Sequence, residues 1–401
     1  MSTSTPAPSV GAGRAIAFLS LAAFAAQAMV RVTDTLLPQI AADLAVSVGA
    51  ASIVVTAYLL AHGSVQLFIG PIADRTGKYL CVSIAASVSA VMVLACGLAP
   101  SLPLLVAARL ASGLATGWIV PLALAFIGDA IPYGRRQGVI GRFLSGQILG
   151  QLFGQAAGGV LGDLFGWRNV FFLLSGLLAI AAVALFAELW RNPITRASAA
   201  PAQPPRHFIA DYAAVLRSPW ARIVIVMAFL ESGLMFGAFT YVGADLHHRF
   251  GVNFAVVGLF VGTFAIGGLI YSLSVHQLVN RLGPAGLAAW GGVLIALAYV
   301  ILALEPFYWV APLAITIVGL GFYMLHNTLQ TNATQMTPEA RGTAVSVFSA
   351  ALYLGQTAGV AAGGAVFDRY TAVPVFLTAG VLLLAVGVWL SQELKRRRTA
   401  V

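Results

Sequence analysis

Gly150-Gln151-Leu152-Phe153-Gly154-Gln155-Ala156-Ala157-Gly158-Gly159 returns later in the chain as Gly355-Gln356-Thr357-Ala358-Gly359-Val360-Ala361-Ala362-Gly363-Gly364. Every matching residue is displaced by 205 positions. The same displacement relates Arg136 to Arg341, Asp163 to Asp368, and Val170-Phe171 to Val375-Phe376. A core and both flanks in one register mark an internal duplication of about 200 residues. Residues four apart share a helix face, and glycines so spaced on an apolar helix let another backbone come close. Each half therefore carries one helix built for tight packing. It is marked by Gly150, Gly154, Gly158 and Gly159 in one copy and by Gly355, Gly359, Gly363 and Gly364 in the other. The expectation is that Gly154 and Gly158 meet a helix of the second half, and Gly359 and Gly363 one of the first.

Sixty per cent of the 401 residues are apolar and 9% are charged, against roughly 25% charged in a soluble domain. A bilayer crossing needs about 20 apolar residues, and such runs follow one another nearly end to end. The composition is that of an all-α integral membrane protein. The formal charge of +9 has no exposed basic domain to present it, so nucleic acid is not expected as a partner. Cys81 and Cys96 fall near opposite ends of one helix, too far apart to bridge, and read as apolar filler. Arg14, an Ala-rich run and Ala26-Gln27-Ala28 imitate a signal peptide. Cleavage there would leave one repeat a helix short, so the segment is read as a retained first crossing.

Hydropathy places spans near 15–37, 50–71, 79–99, 102–127, 139–161 and 169–190. A second set lies near 221–243, 254–277, 285–304, 308–330, 342–366 and 372–391. Twelve transmembrane helices thus fall into two six-helix bundles. Equal helix order in the halves, with a loop of even parity between them, makes them parallel repeats about a pseudo-two-fold axis along the membrane normal. The division is 1–191 for the first bundle, 192–219 for the linker and 220–401 for the second bundle. With both termini cytoplasmic, seventeen basic residues lie inside and only Arg168, Arg249 and Arg369 outside. That asymmetry fixes the orientation in a cytoplasmic (inner or plasma) membrane. In the linker, Phe208, Ile209, Tyr212, Val215 and Leu216 recur at helical spacing beside Arg206, Asp211 and Arg217. Such a short amphipathic helix either lies on the membrane surface or packs on the protein.

Spans 3, 6, 9 and 12 have no charged, amide or histidine side chain in their interiors, whereas spans 1, 2, 4, 5, 7, 10 and 11 do. A polar group facing lipid costs several kcal/mol, so these groups must face protein or water. Every third helix is then a lipid-facing buttress, and the rest surround a wet interior.

Gly70-Pro71-Ile72-Ala73-Asp74-Arg75-Thr76-Gly77-Lys78, after span 2, resembles the loop signature of the major facilitator superfamily, Gly-x-x-x-Asp-Arg-x-Gly-Arg/Lys. Val279-Asn280-Arg281-Leu282-Gly283, after span 8, is similar to its weaker second copy, with Asn280 where Asp is usual. Arg109, with Gly113 and Gly117, resembles the family's fourth-helix motif. The span-5 stretch resembles its antiporter motif, with Gln155 in the place of proline. The resemblance covers nearly the whole chain and implies the twelve-helix fold of the drug:proton antiporters. It implies a transporter rather than an enzyme, driven by a proton gradient with no bound cofactor. It also implies a gating latch of Gly70, Asp74, Arg75, Gly77, Lys78 and Asp129. In that latch Asp74 faces the start of span 11 near Thr343, where a helix dipole favours an anion. Arg75 or Lys78 pairs with Asp129, and both contacts are expected only while the cytoplasmic side is shut. The other reading is a plain basic loop.

Arg31 and Asp34 share a face of span 1 at i, i+3. They lie about 10 Å and about 6 Å below its outer end, and Arg109 lies about 9 Å below the outer end of span 4. One carboxylate between two guanidiniums leaves a positive charge over, open to an anionic substrate group. The alternative is a static cluster joining spans 1 and 4. Glu231 sits roughly 15 Å along span 7, near the midplane, where a carboxyl can serve as a reversible proton carrier or substrate contact. Its other reading is a protonated carboxyl bonded between helices. His62 and Gln66 lie one turn apart in span 2, and His326, Asn327 and Gln330 cluster in span 10. With no matching carboxylates a metal site is not expected, and interhelical hydrogen bonds account for most of these. Gln151 and Gln356 hold equivalent places, and one of them can face the pathway. Two functions fit: proton-coupled efflux of a small amphipathic organic compound, or import or facilitated passage of a small organic anion. In either case the partners are lipid, small substrate and protons, with the chain a monomer.

Overall fold

The computed structural model describes residues 10–69, 76–196, 208–337 and 340–399, and every regular element among them is helical. Span 1 is Val10–Asp43; span 2 is Val48–Ala51 continued by Ile53–Val65; span 3 is Lys78–Leu98. Span 4 runs as Leu102–Thr116 and Ile119–Ala130, span 5 as Tyr133–Phe165, span 6 as Trp167–Arg191. Span 7 comprises Pro219–Phe239 and Val242–Phe250. Phe254–Gly262 and Phe264–Leu304 make spans 8 and 9, followed by Ala311–Ala333, Arg341–Arg369 and Ala372–Thr399.

Ten helical stretches among the described residues are long and apolar enough to cross a bilayer. One of them, Phe254–Leu304, turns back at Gly283, whose φ of 64° and ψ of 174° leave the helix just before Pro284. A left-handed φ suits glycine, and proline has no N–H to continue the ladder. Counting both arms of that stretch and adding the 33-residue Tyr133–Phe165 is consistent with twelve crossings. Both ends of the described chain then lie on one face, called the terminal face below.

Two apolar cores follow the duplication. One is built from residues between Ala12 and Leu185, the other from residues between Val215 and Leu390. Tyr241 and Val360 cross over to join the first core, so the halves interlock rather than merely abut. The linker helix Phe208–Arg217 packs on the protein: Val215 is fully buried, and the Tyr212 hydroxyl donates to the Leu67 carbonyl at 2.7 Å.

The glycine stripes pack where the sequence did not place them. A Cβ on Gly150 or Gly154 would come within 2.9 Å of Phe24 Cα or Ala28 Cα, and one on Gly158 within 2.9 Å of the Val32 carbonyl. All three partners belong to span 1, in the same half. In the second half a Cβ on Gly355 or Gly359 would come within 2.9 Å of Phe229 Cα or Gly233 Cα, and one on Gly363 would lie 2.5 Å from the Gly237 carbonyl. Phe24, Ala28 and Val32 are themselves 205 positions from Phe229, Gly233 and Gly237. The duplication therefore copied a helix pair, and the expected seam between halves is corrected to a clamp within each. The adjacent glycines face elsewhere, because one residue turns a helix by about 100°. A Cβ on Gly159 would meet Gly258 Cα at 2.5 Å in span 8, and one on Gly364 would meet Ser52 Oγ at 2.8 Å in span 2. The most extensive contacts between halves run along these two lines, span 5 with span 8 and span 11 with span 2, with smaller ones of span 1 against spans 7 and 8. Toward the terminal face, a Cβ on Gly138, Gly141 or Gly342 would meet nothing within 4 Å.

Gly154→Leu or Gly359→Leu forces apart two helices of one half, and overpacking of this kind costs about 1–3 kcal/mol or more. Both variants should melt at lower temperature in detergent than Gly138→Leu, which has open space. Equal melting of all three would contradict the clamp.

Candidate functional site

The polar centre lies where span 1 meets span 7. Arg31 and Asp34 are 3% and 2% exposed, with Arg31 Nη1 3.6 Å from Asp34 Oδ2. Neither could be left alone in an apolar interior, where an unpaired charge is costly. The second half supplies the remaining partners. Arg31 Nη2 donates to Gln356 Oε1 at 2.8 Å, and the Thr240 hydroxyl donates to Asp34 Oδ1 at 3.2 Å. The guanidinium carbon of Arg31 lies 3.4 Å from the centroid of the Phe236 ring, a cation–π contact. Phe236 is the residue 205 positions from Arg31, so two equivalent positions meet across the pseudo-two-fold axis. Gln356 also donates to the Ser232 hydroxyl at 2.8 Å, while its equivalent Gln151 donates to Gln27 Oε1 at 3.2 Å inside its own half. Of the two amides, Gln356 is thus the one that reaches across. Ser232, Phe236 and Thr240 escaped the sequence reading. The displacement from Gln27, Arg31 and Thr35 was the signal that could have found them.

Arg109 makes no hydrogen bond to Arg31 or Asp34; its bonds join span 4 to spans 1 and 2, as in the static reading. Its Nε donates to the Val54 carbonyl at 3.1 Å, Nη1 to the Met29 carbonyl at 3.3 Å, and Nη2 to the Thr33 hydroxyl at 3.2 Å. Tyr58 covers its face, with 4.1 Å between guanidinium carbon and ring centroid, and the residue is fully buried. Equal depth brought Arg109 level with Asp34, but the side chain turns into the first core between spans 1, 2 and 4.

Glu231 has found a partner that chain distance concealed. Its side chain is wholly buried, and the one side chain hydrogen-bonded to it among the described contacts is His326, whose Nδ1 lies 3.4 Å from a carboxylate oxygen. His326 keeps 17% of its surface and stacks on Phe322 at 4.8 Å between centroids. Asn327 follows it, half-buried. Glu231 therefore joins spans 7 and 10, with the imidazole on its open side. By contrast, His62 and Gln66 serve as links between spans 2 and 4: His62 Nδ1 is 3.3 Å from the Thr116 hydroxyl, and Gln66 Nε2 donates to the Gly117 carbonyl at 3.2 Å. His62 also lies 4.5 Å from the Tyr353 ring across the half-to-half contact.

Of the expected latch, Gly70, Asp74 and Arg75 lie outside the described residues. Gly77 turns the chain into span 3 with φ +91°, and Lys78 forms an ion pair with Asp129 at the end of span 4. Both residues belong to the first half. The pair therefore does not itself bridge the two halves.

The family model described as Major Facilitator Superfamily matches residues 19–349. The chain belongs to the major facilitator superfamily. Among curated relatives, it is 26% identical over 382 residues to the uncharacterized MFS-type transporter YceJ of Bacillus subtilis (strain 168), covering 92% of this chain and 95% of that protein. It is 24% identical over 368 residues to the purine ribonucleoside efflux pump NepI of Escherichia coli O6:H1, covering 91% and 90%. A solved structure of the peptide transporter POT in complex with sulfate superposes with a TM-score of 0.75 at 16% identity, over 96% of this chain and 94% of that one. That last likeness is one of fold. This member of the superfamily is a multi-pass membrane transporter and not an enzyme, and it carries its charged centre on the axis between the two bundles.

Arg109→Ala would remove the bonds that tie span 4 to spans 1 and 2 and leave a cavity beside Tyr58, a loss of a few kcal/mol at most. The expected outcome is a clear drop in melting temperature, with any substrate affinity lost only as folded protein is lost. A variant that melts normally yet no longer binds substrate would contradict the role of Arg109 as an internal brace.

Proposed function

We propose that this chain exports a small amphipathic organic compound against proton entry, by alternating access with both termini cytoplasmic. The observation that carries the reading is the Glu231–His326 pair. A carboxyl with no exposed surface, bonded to an imidazole that keeps some, can receive or release a proton through that imidazole without either group leaving its place. A change of one charge near the midplane is a sufficient lever on which way the halves face.

The centre on the axis fits the same cycle. Arg31 and Asp34 belong to the first half, while Gln356, Phe236 and Thr240 belong to the second, so rocking of the halves must exchange these partners. Asp34 is the second candidate for proton coupling, since the loss of Thr240 leaves it only Arg31. The seventeen-to-three distribution of basic residues supports the orientation. The relative NepI, a purine ribonucleoside efflux pump, supports the direction. Anion import drew its support from a surplus positive charge on the pathway. With Arg109 spent inside the first core, Arg31 and Asp34 balance each other.

The test is uptake and exchange in proteoliposomes with and without a pH gradient. Glu231→Gln preserves shape and removes titration, so it should abolish gradient-driven accumulation and leave downhill exchange within a few-fold of the parent. Accumulation that survives in Glu231→Gln would rule out Glu231 as the coupling group. Accumulation in the direction of proton flow would favour the importer.

A further inference from the structure

Resting on the alternating-access reading above, we propose that Asp368 is a positioning residue for transport: its carboxylate clasps the first turn of span 2 and sets how readily the face opposite the termini opens. Asp368 stands at the end of span 11, in the second half. Its Oδ1 accepts the Gly49 N–H at 2.8 Å, and its Oδ2 accepts the Ser47 hydroxyl. The Ser47 oxygen in turn accepts the Ala50 N–H at 3.1 Å, so the acid and the serine together complete the start of the helix. Both bonds to Asp368 cross from one half to the other.

The surroundings are shaped for that approach. One turn before Asp368, a Cβ on Gly364 would meet the Ser52 hydroxyl at 2.8 Å and Gly49 Cα at 3.2 Å, and a Cβ on Gly49 would overlap Asp368 itself. A glycine in each half is what lets the acid reach a backbone amide. Beside them the Tyr241 hydroxyl donates to the Val360 carbonyl at 2.6 Å, fastening span 7 to span 11 behind the clasp. Deeper along the same face of span 2, at helical spacing from Gly49 and Ser52, come Thr56 and then Gly63, where Tyr353 of span 11 closes in.

The duplication supplies an internal control. Asp163 is the equivalent of Asp368, yet it is exposed and enters none of the hydrogen bonds described. The position equivalent to Val48 is Asn253, which caps its own helix by accepting the Val256 N–H at 2.9 Å. Each helix carries its own cap, Ser47 for span 2 and Asn253 for span 8, and span 2 in addition takes an acid from span 11. The clasp exists on one of the two most extensive lines of contact between halves, so opening of that face begins by breaking it.

The experiment uses full-length protein in liposomes, with Cys81 and Cys96 replaced by alanine and Thr56→Cys as reporter. A membrane-impermeant maleimide is applied from the side on which Asp368 lies. Thr56 is 8% exposed here, so labelling reads the open population. A hydrogen bond to a charged, partly solvated carboxylate is worth roughly three- to tenfold in an equilibrium. Labelling should rise by about that factor in Asp368→Ala and in Ser47→Ala, and by less in Asp368→Asn, which keeps an acceptor oxygen. It should stay at the parent rate in Asp163→Ala. Labelling within twofold of the parent in both alanine variants, even with a lowered melting temperature, would overturn the clasp. No substrate or proton gradient enters this assay, so its failure is separate from failure of the proposed export activity.

Discussion

Close approach of helix backbones is the constraint from which the rest follows. In a bilayer, apolar side chains gain nothing by leaving lipid for each other, so helices are held by dispersion at short range and by polar contacts. Glycine at Gly150, Gly154 and Gly158 brings span 5 onto span 1, and the duplicated glycines bring span 11 onto span 7. Each clamp makes its half a solid unit. The next glycine round the helix, Gly159 or Gly364, is then left to face the other half. One ten-residue stretch, written twice, thus serves both the cohesion of each half and the contact between them.

Rigid halves make the polar centre intelligible. Spans 1 and 7 are the helices held by the clamps, and they are also the helices that bring Arg31, Asp34, Phe236 and Thr240 together on the axis. A charge pair placed there is shared between two bodies that must move against each other. Glu231 with His326 lies within the second half, so that pair keeps its partner in the rocking proposed above. Separating what must change partners from what must keep its partner is a workable division for a coupled carrier.

Much of this was legible in the sequence. The displacement of 205 gave the two-fold architecture, and apolar runs gave the spans, because lipid imposes a length and composition on every crossing. What stayed hidden were azimuths and long-range pairings. Helical depth put Arg109 level with Asp34, but depth says nothing of direction, and the side chain points to the Val54 and Met29 carbonyls. Four-residue spacing showed that Gly154 and Gly158 share a face without showing which neighbour that face meets. Glu231 and His326 are 95 residues apart, and no motif links them. Asp368 was visible only as a repeat of Asp163, and of the two only Asp368 has a hydrogen-bond partner among the described residues.

The central claim is that two rigid halves rock about the glycine contacts. Distances between paired spin labels in liposomes, measured at two pH values, test it most directly. One pair spans the halves at the terminal face, Trp190 with Val279; one spans them at the opposite face, Leu164 with Tyr370; and one lies within the first half, Leu98 with Leu164. All of these side chains are exposed. The account predicts that the two between-half distances change in opposite senses while the within-half distance stays fixed. A within-half distance that changes as much as the others, or between-half distances that change in the same sense, would contradict it.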